Sequence, residues 1–173
     1  GASYELSDNP QTIQSADKII FPGVGEASTA MRSLRETGLD TLIPTLKQPF
    51  LGTCVGMQLL CNYSEEGDTS CLGIFDIPIL RFPCHSGFKI PQTGWNSLSN
   101  MKSVLCDGLP EEPYVYYNHS YYAPLSAYTV AQTDYILPYS AMLQKDNFHA
   151  CQFHSEISGN IGQQILENFL RLS

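Results

Sequence analysis

The chain has 173 residues, 43% hydrophobic and 15% charged, the balance of a globular protein rather than a disordered one. Its 17 acidic residues outnumber 9 basic ones, a net charge of -8, which argues against a nucleic-acid-binding or anionic-membrane surface. The apolar runs are too short to span a membrane, there is no signal-peptide core, and a reducing, cytoplasmic setting is expected.

Residues 17–23, DKIIFPG, read as a short apolar strand closed by Pro-Gly. From Glu26 to Glu36, Ala27, Ala30, Met31 and Leu34 recur at spacings of three and four, one face of a helix that Gly38 would stop. Residues 49–54, PFLGTC, predict a second, buried strand. VGMQLLCNYSEE then predicts a helix with Met57, Leu60 and Cys61 on one side. Strand, helix, strand, helix implies right-handed parallel units and an α/β domain covered on both faces. No repeat, low-complexity tract or long linker interrupts the chain, so residues 1–173 read as one domain.

The second half changes character. Residues 75–82, 114–122, 127–135, 140–144 and 148–154 are short runs rich in aromatic and β-branched residues, expected as strands. Lys145, Asp146 and Asn147 form a hairpin-type turn between two of them. The chain closes on an amphipathic helix carrying Ile161, Ile165, Leu166, Phe169 and Leu170. The six cysteines form no CxxC pair, so no metal site is expected, and Cys61 and Cys151 lie in apolar runs as small hydrophobes.

Gly52-Thr53-Cys54-Val55-Gly56 stands apart, because it sets a nucleophile between two glycines where a strand turns into a helix. With serine, the same form is the nucleophile elbow, a strained turn that lifts the reactive atom out of a sheet. The glycines admit close backbone approach where the chain reverses. The start of a helix favours a thiolate and points backbone N–H groups at an oxyanion. An isolated motif of this kind also fits one more buried cysteine.

A cysteine nucleophile needs a base, and the base an orienting group. His154 is expected to end the strand HACQFH, with Glu156 two residues on. The period of two lets both face the same way, Glu156 holding one ring nitrogen while the other faces Cys54. His85 reads as a solvated turn residue and His149 as the exposed side of its strand. His119, among aromatics, is the other candidate for a site. Trp95 follows Gly94 in what reads as a loop, which favours an exposed contact role over a core aromatic. The tyrosines of 114–122 read as a strand packing face, and EEGD at 65–68 as a solvated patch.

The order of FPGVG before a helix, LGTCVGMQLL and QFHSE resembles the class I (triad) glutamine amidotransferases. Within that family the chain is most similar to the glutaminase subunits of imidazole glycerol phosphate synthases of histidine biosynthesis. KIPQTGWN (89–96), YVYYNHSYY (114–122) and AMLQKDNFHACQFHSE (141–156) carry that likeness. The resemblance implies a flavodoxin-like α/β fold. Its central sheet would be mixed and mainly parallel with helices on both faces, and a smaller antiparallel region would occupy the second half. It also implies that the family's first strand and helix are missing, with Gly1 near the approach to the second strand.

The resemblance implies roles as well. Cys54 would attack the side-chain amide of L-glutamine, His154 would move the protons and Glu156 would orient it. Gly23, Val24 and the N–H of Val55 would form the oxyanion hole. Gly52, Gln58, His119, Ser120 and Tyr121 would help hold the substrate. No cofactor is implied. The heterodimer partner would be a (β/α)8-barrel cyclase subunit. Ammonia would pass to it and react there with the ribonucleotide PRFAR, and Trp95 and Asn96 would lie at that interface. Ser155 and Ile157 replace the family's usual Pro and basic residue, and Gln92 a common His. Another triad glutaminase, such as that of pyridoxal phosphate synthase, a cysteine peptidase of similar sheet, and a non-catalytic binding domain of the same fold are the alternatives.

Overall fold

The computed structural model describes residues 2–23 and 25–173. In chain order the regular elements are α1 (Pro10–Ser15), β1 (Ile19–Gly23), α2 (Ala27–Thr37), α3 (Leu39–Leu42), β2 (Phe50–Cys54), α4 (Val55–Leu60), β3 (Cys61–Ser64) and β4 (Thr69–Ser70). They continue as β5 (Phe75–Arg81), β6 (Gln92–Ser97), β7 (Tyr114–His119), β8 (Tyr121–Tyr122), β9 (Thr129–Tyr135), β10 (Leu137–Lys145), β11 (Phe148–Cys151) and α5 (Gly159–Leu170).

The central sheet has the order β1-β2-β11-β10-β9. β1, β2 and β11 pair in parallel, while β10 runs antiparallel to both β11 and β9. Four of the five strands therefore point the same way, and the sheet is mixed and mainly parallel, as expected. A second sheet, β4-β3-β5-β8, and the antiparallel pair β6-β7 stand beside it. Three strands of the second half, β9 to β11, are built into the central sheet itself.

The pleat divides the core in two. Phe50, Leu143, Phe148 and Ala150 face α2, α3 and α4, where Ala27, Met31, Leu34, Leu39, Met57 and Leu60 are buried. Their neighbours Leu51, Met142 and Cys151 face the other way, toward Ile165 and Phe169 of α5. A strand covered on both faces alternates between two cores rather than between core and water. That is why 50–54 is buried at every position.

α2 follows its periodicity, and Gly38 closes it in the left-handed region (φ 72°) that costs glycine little. Asp146 and Asn147 form the turn between β10 and β11, with Lys145 opposite Phe148. Among the described residues, no helix is long and apolar enough to cross a membrane.

Four expectations are corrected. The helix after Cys54 ends at Leu60, and Cys61–Ser64 is a strand, because the backbone of Cys61, Tyr63 and Ser64 pairs with β5. Tertiary pairing overrides the local helical spacing there. His149 is buried, not exposed, since its face of β11 is covered by α5, where it meets the Phe169 ring at 6.4 Å. Burial lowers its pKa, and among the described residues its Nδ1 has no hydrogen-bond partner. Leu170 is exposed, and Asn168 takes a buried place on α5 instead. Its amide donates to the carbonyls of Leu105 (3.0 Å) and Asp107 (2.9 Å). Trp95 lies on strand β6, not in a loop, although it is exposed as expected.

Candidate active site

The carboxyl end of β2 delivers Cys54 directly into α4, with no connecting loop. Cys54 has φ 53° and ψ -117°, a backbone conformation that L-residues rarely hold, so the turn is strained as a nucleophile elbow requires. The flanking glycines permit it. A Cβ on Gly23, the residue paired with Cys54 across β1, would collide with the backbone of Val55 and Gly56. A Cβ on Gly56 would strike the carbonyl of Phe21, and one on Gly52 would lie 2.7 Å from Leu60 Cδ1. Strand β1, strand β2 and helix α4 thus touch through bare backbone.

β11 lies beside β2, and the chain leaving it brings back His154 and Glu156. His154 does not end a strand, since β11 stops at Cys151. It precedes a short 3-10 helix, Ser155–Ile157. The meeting of the two side chains comes from that tight turn rather than from a strand's period of two. His154 Nδ1 donates to Glu156 Oε1 at 2.7 Å. Two backbone anchors hold the turn. His154 N donates to the Tyr116 carbonyl (2.9 Å), and Ser158 Oγ accepts from Tyr116 N (2.9 Å) while donating to the His154 carbonyl.

With Nδ1 engaged, Nε2 is left for the thiol. Hydrogen bonding to Cys54 is the largest influence on His154 and raises its pKa from 6.5 to about 9. Burial opposes that rise, and Cys54 and Glu156 add to it through charge. Its side chain is 18% exposed and that of Glu156 59%, so this carboxylate sits at the rim.

Cys54 opens on a recess of about 210 Å³ lined by Gly25, Val55, Gln58, Glu66, Pro91, Asn118, His119, Ser120 and Tyr121. A larger recess, about 340 Å³, lies at the opposite end of β2 and β11 beside Lys47 and Lys145, away from the thiol. Of the predicted residues, Cys54, Val55, Gln58, His119, Ser120 and Tyr121 share the smaller recess. Gly52 lies buried within β2, and Gly23 runs alongside Cys54. Val24 lies outside the described residues.

His119 borders the recess, but its ring is turned inward. Burial lowers its pKa from 6.5 to about 4, against the hydrogen bond to Tyr121. It is therefore neutral, donating from Nδ1 to the Tyr121 carbonyl (2.7 Å), with Nε2 3.3 Å from the Tyr139 hydroxyl, whose own proton goes to Gln92 Oε1 (3.0 Å). Gln58 Nε2 donates both its hydrogens inward, to the Tyr121 carbonyl (3.1 Å) and to Gln152 Oε1 (3.0 Å). Only Oε1 of Gln58 remains to face a ligand.

Trp95 and Asn96 stand apart on β6. Trp95 is 55% exposed and meets the Tyr116 ring edge-on at 5.8 Å, while Asn96 Nδ2 donates to the Asp134 carbonyl (2.9 Å).

Sequence reasoning missed Glu66. Its Oε2 accepts from the Ala27 N–H at 2.8 Å, capping α2, and its carboxylate borders the recess. Nothing in the EEGD patch marks one of its acids as inward-facing, because β3 and the turn after it fix that direction. Gln152 was missed too. It is fully buried one residue past β11, with Nε2 4.0 Å from Cys54 Sγ.

The strained cysteine elbow and the histidine–carboxylate pair match the parts that a thiol acyl-transfer site requires. The model of the glutamine amidotransferase class-I family matches residues 2–172, and the chain belongs to that family. Among its relatives, the imidazole glycerol phosphate synthase subunit HisH of Bacteroides fragilis (strain YCH46) is 51% identical over 173 residues, 99% of this chain and 88% of the relative. The protein of the same name from Chloroflexus aurantiacus is 42% identical, covering all of this chain and 86% of the relative. Among solved structures, a glutamine amidotransferase has a TM-score of 0.69 at 17% identity, over 94% of this chain and 84% of the other. A glutamine amidotransferase from Thermotoga maritima has a TM-score of 0.57 at 16% identity, covering 89% of this chain and 62% of that one. These two likenesses show the α/β fold.

Proposed function

We propose that this chain is the cytoplasmic glutaminase subunit of an imidazole glycerol phosphate synthase, acting in histidine biosynthesis as a single amidotransferase domain. The observation that carries the reading is the pairing of a strained cysteine elbow with a histidine held at 2.7 Å by its carboxylate. The relatives at 51% and 42% identity carry the choice of pathway.

In this reading the Cys54 thiolate attacks the side-chain amide carbon of glutamine. The C–N bond breaks, His154 gives its proton to the leaving nitrogen, and ammonia departs from a γ-glutamyl thioester. His154 then takes a proton from water, whose oxygen attacks the thioester. The C–S bond breaks, and glutamate leaves. Glu156 keeps the ring oriented and favours its protonated form. The Val55 N–H binds the oxyanion, a contribution of about 10²–10³-fold in such sites, and Gly23 and Val24 are assigned to the same role. Gln58 Oε1 is free to accept from the substrate, and Glu66 supplies the negative charge that an α-ammonium needs.

Ammonia passes to a (β/α)8-barrel cyclase subunit, where it reacts with PRFAR. The docking face is the exposed side of β6 and β7, where Trp95 and Tyr114 stand out at 55% and 54% exposure with Tyr116 between them. Exposed aromatics grouped on one rigid face suit an interface core.

The test is co-purification with a cyclase subunit, followed by glutamine turnover with and without the ribonucleotide. Turnover is expected to rise in the complex and to need Cys54. Equal turnover by Cys54→Ala, or no stimulation by any cyclase, overturns the reading.

A further inference from the structure

The structure assigns Gln152 as the positioning residue of the Cys54 thiol, its amide N–H turned toward the sulfur by a chain of buried amides. This rests on the reading of Cys54 as nucleophile.

The direction of the chain is set by one atom. The Tyr121 backbone carbonyl is acceptor-only, so the group of Gln58 that meets it at 3.1 Å is the NH2. That same NH2 meets Gln152 at 3.0 Å, so Gln152 presents its oxygen to Gln58. A planar amide with its oxygen fixed on one side carries its NH2 on the other, and there Cys54 Sγ lies 4.0 Å away. Flipping Gln152 alone would set NH2 against NH2 at Gln58 and an acceptor oxygen against the sulfur, both inside the core. Gln58 and Gln152 are 2% and 0% exposed, so water does not relieve such a mismatch. The backbone holds the site of attachment as well, since Gln152 N donates to the Ala141 carbonyl at 2.9 Å.

The consequence is chemical. A donor aimed at sulfur holds the side chain in one orientation while His154 carries the proton. The interaction tightens as negative charge gathers on sulfur and weakens as it forms the thioester. Gln152 thus acts on the sulfur from the core side, opposite the recess.

The probe is iodoacetamide on the full chain, with alkylation at Cys54 and at the exposed Cys84 followed by mass spectrometry, Cys84 serving as internal reference. Gln152→Met removes both amide groups at nearly constant length. Gln152→Glu keeps an acceptor for Gln58 but puts an acceptor at the sulfur. The Cys54/Cys84 rate ratio at pH 7 is expected to fall about tenfold in Q152M, the loss of one hydrogen bond to a charged group, and further in Q152E. The glutamine concentration that half-protects Cys54 is expected to stay within about twofold in Q152M, since Gln58 keeps its bond to Tyr121.

A purely structural role gives the reverse order, with Q152E closer to wild type. That order, or an unchanged ratio in both variants, overturns the inference. Wild-type Cys54 reacting no faster than Cys84, or reacting equally in His154→Ala, overturns instead the reading of Cys54 as nucleophile. If thermal melting shows Q152M unfolded, the ratio in Q152E alone decides.

Discussion

The imidazole of His154 and the carboxylate of Glu156 meet at 2.7 Å with one residue between them, across the first turn of a 3-10 helix. That contact and the Cys54 thiol together keep a proton on the ring, and the proton makes stability depend on pH. The folded-state pKa of His154 is raised from 6.5 to about 9, with Cys54 the larger cause and Glu156 the smaller. The folded protein retains a proton that the unfolded chain gives up. The contribution is therefore full below pH 6.5 and is lost as pH climbs through about 9. Urea midpoints taken across that window should decline in the wild type, decline less in Glu156→Gln, and least in Cys54→Ala. A wild-type slope matched by both variants would contradict this account.

Gly23 is the point where β1 meets the elbow without a side chain between them. Gly23→Ala forces the backbone of Val55 and Gly56 away from β1. Overpacking of this kind costs about 1–3 kcal/mol, or about 2–4 °C of Tm for each kcal/mol in a chain of this length. Displacing Val55 also moves the N–H assigned to the oxyanion. Calorimetry and glutamine turnover should both register the change, activity by a larger factor than stability accounts for. A variant with wild-type Tm and turnover would remove Gly23 from the site.

Glu66→Gln keeps an acceptor for the Ala27 N–H and removes the charge from the recess. Affinity for glutamine is expected to weaken about 10–100-fold, the worth of a charge-assisted hydrogen bond, with kcat changing far less. The check is a KM–kcat comparison in the cyclase complex. An unchanged KM would return Glu66 to a capping role alone.

Asn168→Ala leaves the buried carbonyl of Leu105 and the part-buried one of Asp107 without their donor. A loss of about 1–3 kcal/mol in urea unfolding is expected, with Cys54 labelling by a glutamine-analogue electrophile retained. The variant separates stability from chemistry. Loss of labelling in a folded Asn168→Ala would show that α5 reaches the site.

The elbow was legible in the sequence because its chemistry leaves a local trace: a turn that brings backbone against backbone requires glycine on both sides of Cys54. The helical stripe of α2 and the stop at Gly38 were legible for the same reason. Where pairing partners decide, the trace disappears. Cys61 continues the spacing of a helix yet joins β5, which lies fourteen residues downstream at Phe75. His149 alternates with apolar neighbours as an exposed residue would, but α5 covers its face. Glu66 lines the recess and Gln152 meets the thiol through contacts 39 and 98 residues apart, to Ala27 and Cys54, and neither lies in a pattern that names its neighbour. His154 and Glu156 were rightly paired, but by the wrong geometry.

The adjacency of β2 and β11 has a consequence for the chain while it is being made. The ribosome releases the thiol at position 54 a hundred residues before the imidazole at 154, and β11, which carries the one to the other, is the last strand of the central sheet to be synthesised. Until that strand docks, a nascent chain holds a cysteine with no base beside it. In the proposed mechanism, ammonia production therefore waits until β11 has left the ribosome and closed the sheet.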